Sequence, residues 1–350
     1  MVTSKHRYPG AEYRTLDQSP RVIVLYNQTD YLVKGEQKDL LADQGVIACA
    51  HAVANALSSA GLSVASVPIM GDVEQALAPY PPTGWVIFNL GEGLAGKLFE
   101  EVRIAWALEV MGYRFTGADA MALALSTHKA RAKEALRRAG VPTPGWHLFS
   151  DPRQVTDEAL SGLPFPLIVK PVAEDASLGI NELSVVQSLE ALRGQVHISV
   201  ERYRQAALVE AFVDGREFNI SIWDDPPAVL PPAEVHFPAA KSLNERIVSF
   251  SAKWEEESIP YQNTPVTCPA EVSAALGEAL TQTALHAWRA LGCNGYGRVD
   301  MRIDHNDVPY VLEVNCNPDI SPDAGFFRSA SHAGYSYQEM VLHILQPIVR

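Results

Sequence analysis

A chain of 350 residues, 47% hydrophobic and with a formal net charge of −13, can bury the cores of two or three domains. It is too acidic for a general nucleic-acid or membrane-surface binder, which needs an extended basic patch. Its four cysteines, Cys49, Cys268, Cys293 and Cys316, lack CxxC spacing, so neither a zinc knuckle nor a disulfide framework is expected, and they fit a reducing compartment. The opening MVTSKHRYPGAEYR has no apolar core of signal-peptide length, and no segment reaches the ~18 apolar residues of a membrane span. The expected location is cytoplasmic.

In chain order, Arg21 to Tyr26 (RVIVLY) reads as a buried strand. Asp43 to Ala60 has helical spacing through Val46, Ala50, Val53 and Leu57, and Gly61 stops it. A strand at Leu62 to Val67, a helix at Val73 to Leu77 and a strand at Trp85 to Leu90 (WVIFNL) follow. Such alternation implies a parallel sheet with helices on its faces, and a doubly wound first domain running to about Leu125. Gly91-Glu92-Gly93-Leu94-Ala95-Gly96 comes directly after WVIFNL and matches GxGxxG before a helix at Leu98 to Met111. A dinucleotide site would also need an acidic residue about 20 positions later on a strand end. Asp119 lies instead in a turn-like stretch. A loop at the C-terminal edge of a sheet, placed for substrate contacts, is the preferred reading.

Thr127 to Ala139 spells a basic helix ended by Gly140, on which Lys129 would by default be a solvated charge. VPTPGWHLF then links into a strand. FPLIVKPVAEDASLGI delivers Lys170 on an apolar strand, followed by a loop with Glu174, Asp175, Ser177 and Gly179. That order can hold phosphates, since lysine gives a point charge while loop amides and a serine hydroxyl give donors. Leu208 to Phe212, a turn through Asp214 and Gly215, and Glu217 to Trp223 read as a hairpin, with Glu217 a solvent-facing acid by default. Asp224 to Pro232, with four prolines, reads as an exposed connection. Lys253-Trp254 precede EEESIPYQNTPVTCPA, which is either disordered surface or a mobile lid. A helix from Glu271 to Leu291 is stopped by Gly292.

It feeds GYGRVDMRIDHNDVPYVLEVNCNPDISPDAGFF, residues 295–327. Arg298, Asp300 and Arg302 alternate with Val299, Met301 and Ile303, and a turn of Asp304 to Asp307 leads to a returning strand from Tyr310 to Asn315. On that strand Val311, Glu313 and Asn315 are expected to share a face, so the hairpin can bring Asp300, Glu313 and Asn315 together beside Arg298. Such an oxygen-only ligand set suits magnesium.

The order of these parts resembles the ATP-grasp superfamily, most closely D-alanine–D-alanine ligases, from about Trp85 to the C-terminus. The resemblance implies an α/β and α+β chain, an ATP-grasp fold with a Rossmann-like N-terminal domain. Its divisions would be 1–125, a central subdomain 126–215, and a C-terminal ATP-grasp and metal-binding domain 216–350. It implies that Lys129 and Lys170 meet nucleotide phosphates, Ser177 lies in the loop closing over them, Glu210 sits at the adenine hinge and Glu217 takes the ribose hydroxyls. Lys253 would be the phosphate-contacting lysine of the lid. Asp300, Glu313 and Asn315 would hold two Mg2+ ions, with Mn2+ as a substitute, and Arg298 would steady an acyl phosphate. Gly91, Glu92 and Gly93 would border the amino-acid substrates. Partners would be small amino acids or amines, with no nucleic acid and no membrane, and the family likeness allows a homodimer.

The implied chemistry is an ATP-dependent joining of a carboxylate to an amine: ATP phosphorylates the carboxylate and the amine attacks the acyl phosphate. Arg298 and amides near Pro318 would meet the oxyanion, and lid closure would keep water out. The chain departs from the family at both amino-acid pockets. The GG-x-S-x-E motif is absent, and the first strand runs into YNQTDYLVKGE with Asp43 nearby. Asp175 and Asp319 replace glycines, and Ala324-Gly325 replace a serine-leucine pair. Asp319 would repel a substrate carboxylate and attract an amine. Alternatives to the ligase of unassigned substrates are D-alanine–D-alanine ligase itself, a nucleotide-binding module without catalysis, and the dinucleotide oxidoreductase.

Overall fold

The computed structural model describes residues 21–93, 95–224 and 226–350. The opening segment read for a signal peptide, and Leu94 of the glycine-rich loop, lie outside the described residues. Three sheets carry the fold. The first is parallel, in the order β2 (Ser63–Ile69), β1 (Arg21–Asn27), β3 (Trp85–Leu90). Helices α1 (Leu40–Ser59), α2 (Val73–Leu77) and α3 (Glu100–Val110) alternate with its strands. β1 is buried on both faces from Val22 to Asn27, which is why it reads as an unbroken apolar run.

The stretch Gln37–Ser59 is long and apolar enough to cross a membrane by length and composition, contrary to the expectation that no segment would be. Val46, Cys49, Ala50, Val53 and Leu57 bury its inner face against the first sheet and the C-terminal helix α11 (Tyr337–Val349). A core helix passes the same length test, and this one is packed as a core helix.

The basic helix begins later than expected. Helix α4 (Ala120–Thr127) ends at His128, whose ring nitrogen accepts from Arg131 N at 3.4 Å to start α5 (Lys129–Arg138). Neither Lys129 nor Lys133 is solvated: both are buried, and α5 packs Ala132 and Leu136 into the core beneath the third sheet.

The second sheet is antiparallel, in the order β4 (Trp146–Phe149), β7 (Ala207–Ala211), β5 (Leu167–Pro171), β6 (Val185–Val186), with α6 (Leu189–Glu201) on its face. The third contains β8 (Glu217–Trp223), β9 (Ala228–Val229), β10 (Ala233–Val235), β11 (Val266–Thr267), β12 (Tyr296–Ile303) and β13 (Pro309–Asn315). The expected hairpin of residues 208–223 does not form. β7 pairs with β4 and β5, whereas β8 pairs with β10 and β12. The turn residues that resembled a hairpin loop carry the chain from one sheet to the other. At this crossing a Cβ on Gly215 would lie 1.7 Å from the Ile303 carbonyl oxygen, a backbone atom that cannot yield cheaply. Gly215→Ala is expected to destabilise the fold by about 2 kcal/mol, read as a lower denaturant midpoint. An unchanged midpoint would show that the two strands can part there.

The proline-rich connection is less exposed than expected, because β9 pairs with β8 and Leu230 is buried. The stretch after Trp254 is folded rather than irregular. Helices α7 (Phe250–Trp254) and α8 (Ile259–Gln262) start at Ser249 and Ser258, whose hydroxyls accept from Ala252 N and Tyr261 N, and β11 follows. Helix α9 (Ala274–Ala290) covers one face of the third sheet through Leu276, Leu280 and Trp288. Helix α10 (Gly325–His332) and α11 return to the first sheet, where Phe326, Met340 and Val341 share a core with Val22, Val24, Trp223 and Tyr296.

Candidate active site

A cavity of about 810 Å³ separates the second sheet from the third. Lys170, Ser177, Glu210, Glu217, Lys253, Arg298, Asp300, Glu313, Asn315 and Asp319 all line it. Its floor is the β12–β13 hairpin. In register, Arg298 faces Asn315 and Asp300 faces Glu313, but Met301 then faces Val311, so β13 carries a bulge at Leu312. The expectation that Val311, Glu313 and Asn315 share a face fails there. The extra residue lets Val311 join the core while Leu312, Glu313 and Asn315 line the cavity.

Arg298 holds Asp300 with both ends of its fork, at 2.7 and 2.8 Å, and Asn219 Nδ2 donates to the same carboxylate at 2.8 Å. Lys129 lies beneath this floor, with Nζ 3.6 Å from Glu313 Oε1 and 3.3 Å from Asp175 Oδ1. Burial opposes the Lys129 charge, and Glu313 with Asp175 overrides it, so its pKa lies above the ordinary lysine value. Burial raises the Glu313 carboxyl although Lys129 pulls it down.

The opposite wall comes from the second sheet and its loop. Ala176 and Ser177 take left-handed φ values of 55° and 61°, which turn the loop after β5. Ser177 Oγ donates to Val248 O at 2.9 Å, and Trp254 Nε1 donates to Ala176 O at 2.9 Å, so α7 is fastened to that loop. Lys253, on the same helix, has its pKa lowered by burial and by the charge of Arg298.

At the far end Glu210 is 1% exposed and sits between two lysines, Lys133 Nζ at 2.7 Å and Lys170 Nζ at 3.5 Å. Glu217 is buried, not solvent-facing. Arg302 meets its Oε2 at 2.7 and 2.8 Å, which leaves Oε1 for another donor.

Gly91, Glu92 and Gly93 are not among the residues that line the cavity, although the charge of Glu92 acts on Lys253, which does. Glu92 N donates to Asn27 Oδ1 at 3.1 Å, and Gly91 O accepts from Asn317 Nδ2 at 3.4 Å, which ties the C-terminal ends of β1 and β3 to the residues just past Asn315. Asp319 accepts from Ser321 N and Oγ at 2.8 and 2.6 Å.

Among the described residues no three His, Cys, Asp or Glu side chains converge as a metal cluster. The donor set on the floor is instead two carboxylates and an amide oxygen, Asp300, Glu313 and Asn315, on one cavity-lining strand pair. This hard-oxygen set fits a divalent ion such as Mg2+, which keeps water and phosphate oxygens in its remaining positions.

Sequence reasoning missed Lys133, Asn219 and Arg302 as members of this site. Lys133 stands four residues after Lys129, hence on the same helical face, and that spacing was the available signal. Asn219 and Arg302 enter only through strand pairing across β8 and β12.

Residues 135–346 match the family described as D-ala D-ala ligase C-terminus. A D-alanine–D-alanine ligase of Nitrosomonas europaea is 33% identical over 253 residues, 72% of this chain and 77% of that one. An uncharacterized protein of Sinorhizobium fredii, y4sG, is 32% identical over 280 residues, 79% of either chain. The crystal structure of a Bacillus anthracis D-alanine–D-alanine ligase complexed with ATP superposes with a TM-score of 0.73, covering 94% of this chain and 97% of that one at 21% identity.

Proposed function

The chain belongs to the D-alanine–D-alanine ligase family and is an ATP-dependent carboxylate–amine ligase with an ATP-grasp fold. We propose from this premise that it activates a carboxylate as its acyl phosphate on the β12–β13 floor and passes the acyl group to an amine. The observation that carries the reading is the register of the hairpin. Arg298, Asp300, Glu313 and Asn315 stand as two facing pairs beneath Lys170 and Lys253, so cation and oxygen ligands meet where a transferring phosphoryl group needs both.

In this reading the base of ATP lies at the Glu210 end, and the ribose hydroxyls donate to Glu217 Oε1. Lys170 and Lys253 flank the phosphates, with Ser177 in the loop above them. Lys129 acts from below by holding Glu313 and Asp175. Asp300, Glu313 and Asn315 would hold Mg2+, two ions by family likeness with Mn2+ able to substitute, and a bound ion would neutralise charge on the phosphates during transfer. Arg298 orients the acyl oxygen and stabilises the oxyanion formed when the amine attacks. The helix bearing Lys253 and Trp254 closes the site against water.

Gly91, Glu92, Gly93 and Asp319 border the amino-acid substrates. Both substrates are small amino acids or amines, and the D-alanine pair is one candidate among them. The carboxylate of Asp319 beside that end of the cavity disfavours an acceptor carboxylate there. The division into 1–125, 126–215 and 216–350, a cytoplasmic location and a homodimer complete the proposal.

The test is ADP formation across a panel of D- and L-amino acids and small amines with MgCl2. At least one pair should give turnover, and Glu313→Gln should lower its kcat about 100-fold or more, since losing an anionic metal ligand costs several kcal/mol of transition-state stabilisation. Wild-type kcat in Glu313→Gln would remove the metal assignment. Turnover with D-alanine alone would favour the D-alanine–D-alanine reaction.

A further inference from the structure

Between β1 and α1 the chain leaves the first sheet and reaches across to the second. Val33 N donates to Ala95 O at 2.9 Å, in the glycine-rich loop, and Gly35 N donates to Arg202 O at 3.2 Å, at the end of α6. Glu36 pairs with the Arg202 guanidinium, and Lys38 Nζ stands 5.3 Å over the Phe250 ring of α7. Residues 33–38 therefore form a strap, tied at one end to the glycine-rich loop and at the other to the second sheet and the helix that carries Lys253.

In the middle of the strap Lys34 Nζ is paired with Glu174 Oε1, and the two side chains are only 7% and 8% exposed. Glu174 opens the loop that bears Ser177. Its Oε1 also accepts from Gln205 Nε2 at 2.6 Å, and its backbone oxygen accepts from Lys129 Nζ. Lys129 in turn stands 3.6 Å from Glu313. A chain of contacts thus runs from the strap to the cavity floor through Glu174. Tyr203, 3% exposed, lies between strap and loop: a Cβ on Gly35 would stand 3.6 Å from its ring, and one on Gly179 3.0 Å.

The loop needs such a hold. Ala176 and Ser177 both take left-handed φ values, which L residues adopt at a cost. Leu178 N and Ile180 N reach back only three residues, to Asp175 O and Ser177 O, each at 3.0 Å. Bonds of that span shape a loop without fixing it against a sheet. A buried ion pair does fix it, because neither charge can leave without stranding the other.

We propose, on the premise that the nucleotide phosphates lie beneath Ser177, that Lys34 is a positioning residue: by holding Glu174 it keeps loop 174–180 in its phosphate-covering position before nucleotide arrives. Lys34 acts through the loop and touches neither nucleotide nor acyl group. Its hold removes an ordering cost that nucleotide binding would otherwise meet. Saturating nucleotide orders the loop in any case, so losing Lys34 acts on KM for ATP and spares kcat.

The experiment records amide hydrogen exchange of peptides covering residues 174–180 by mass spectrometry, with and without a non-hydrolysable ATP analogue and MgCl2. KM for ATP and kcat are taken from ADP release with the best substrate pair. Lys34→Met, Lys34→Arg and Glu174→Gln are compared with wild type, with a melting curve for each. Without nucleotide, Lys34→Met should exchange these amides about tenfold faster, and the analogue should restore the wild-type rate. KM for ATP should rise about tenfold with kcat within about threefold of wild type. Lys34→Arg keeps the cation and should bring exchange and KM back to within about threefold. A lysine that only stabilised the fold would speed exchange throughout the protein and leave KM unchanged.

Unchanged exchange at 174–180, or unchanged KM for ATP, in a folded Lys34→Met protein overturns the proposal. If that variant does not fold, Glu174→Gln decides in the same way, with expected changes of about threefold. An analogue that fails to slow exchange at 174–180 in the wild type would show instead that the loop does not cover the phosphates, and the placing of the nucleotide would fall together with the role of Lys34.

Discussion

Alanine at position 298 is expected to lower kcat by about three orders of magnitude while the protein still folds. The guanidinium of Arg298 lines the cavity and holds Asp300 at two points, 2.7 and 2.8 Å. Truncation removes the cation proposed to meet the developing oxyanion and frees one metal-ligand candidate to rotate. The fold should survive because Asp300 keeps its bond from Asn219 at 2.8 Å and Val299 remains in the core. Arg298→Lys restores a point charge without the planar fork, so only part of the loss should return. The check is kcat from ADP release with the best substrate pair, alongside a melting curve. A kcat within tenfold of wild type, in a folded Arg298→Ala protein, would remove Arg298 from the reaction.

Methionine at position 302 is expected to cost about 3–5 kcal/mol of stability, because it strands a buried carboxylate. Arg302 is 4% exposed. It engages Glu217 at 2.7 Å, donates to Val213 O at 3.0 Å and to Arg246 O, and has Phe212 and Phe237 over its guanidinium at 4.8 and 5.7 Å. Methionine fills similar space but leaves Glu217 without its cation. A second substitution, Glu217→Leu, should recover most of the stability, since removing both members of a buried pair is far cheaper than removing one. Nucleotide affinity should stay low in the double variant, as the proposed ribose acceptor is gone. Denaturant midpoints of the single and double variants give the answer. A double variant no more stable than Arg302→Met would mean that Arg302 matters through its carbonyl bonds and ring contacts rather than through Glu217.

The residues proposed to handle phosphate and metal were legible because each is a charged or oxygen-bearing side chain in a strand or loop whose period is plain, as with Lys170, Asp300 and Glu313. Asp300 and Glu313 were brought together by the alternation of the first strand and the turn that follows it. The bulge at Leu312 was not legible, because a one-residue insertion leaves no mark in the pattern until the partner strand is known. The same limit hid the fate of residues 208–223. A turn-rich segment between two strands looks alike whether it closes a hairpin or carries the chain to another sheet, and only the pairing of β7 with β5 and of β8 with β12 distinguishes them.

The sequence by itself determined the order of the lysines, carboxylates and arginine whose likeness to ATP-grasp ligases implied the chemistry, because side-chain identity and local period are one-dimensional properties. Tertiary structure alone decided which charges are spent on each other. Lys133 with Glu210, Arg302 with Glu217 and Lys129 with Glu313 are each separated by between 77 and 184 residues. Such pairs are fixed by how sheets and helices pack. Burial then turns residues that read as solvated surface charges into partners that the fold cannot leave alone.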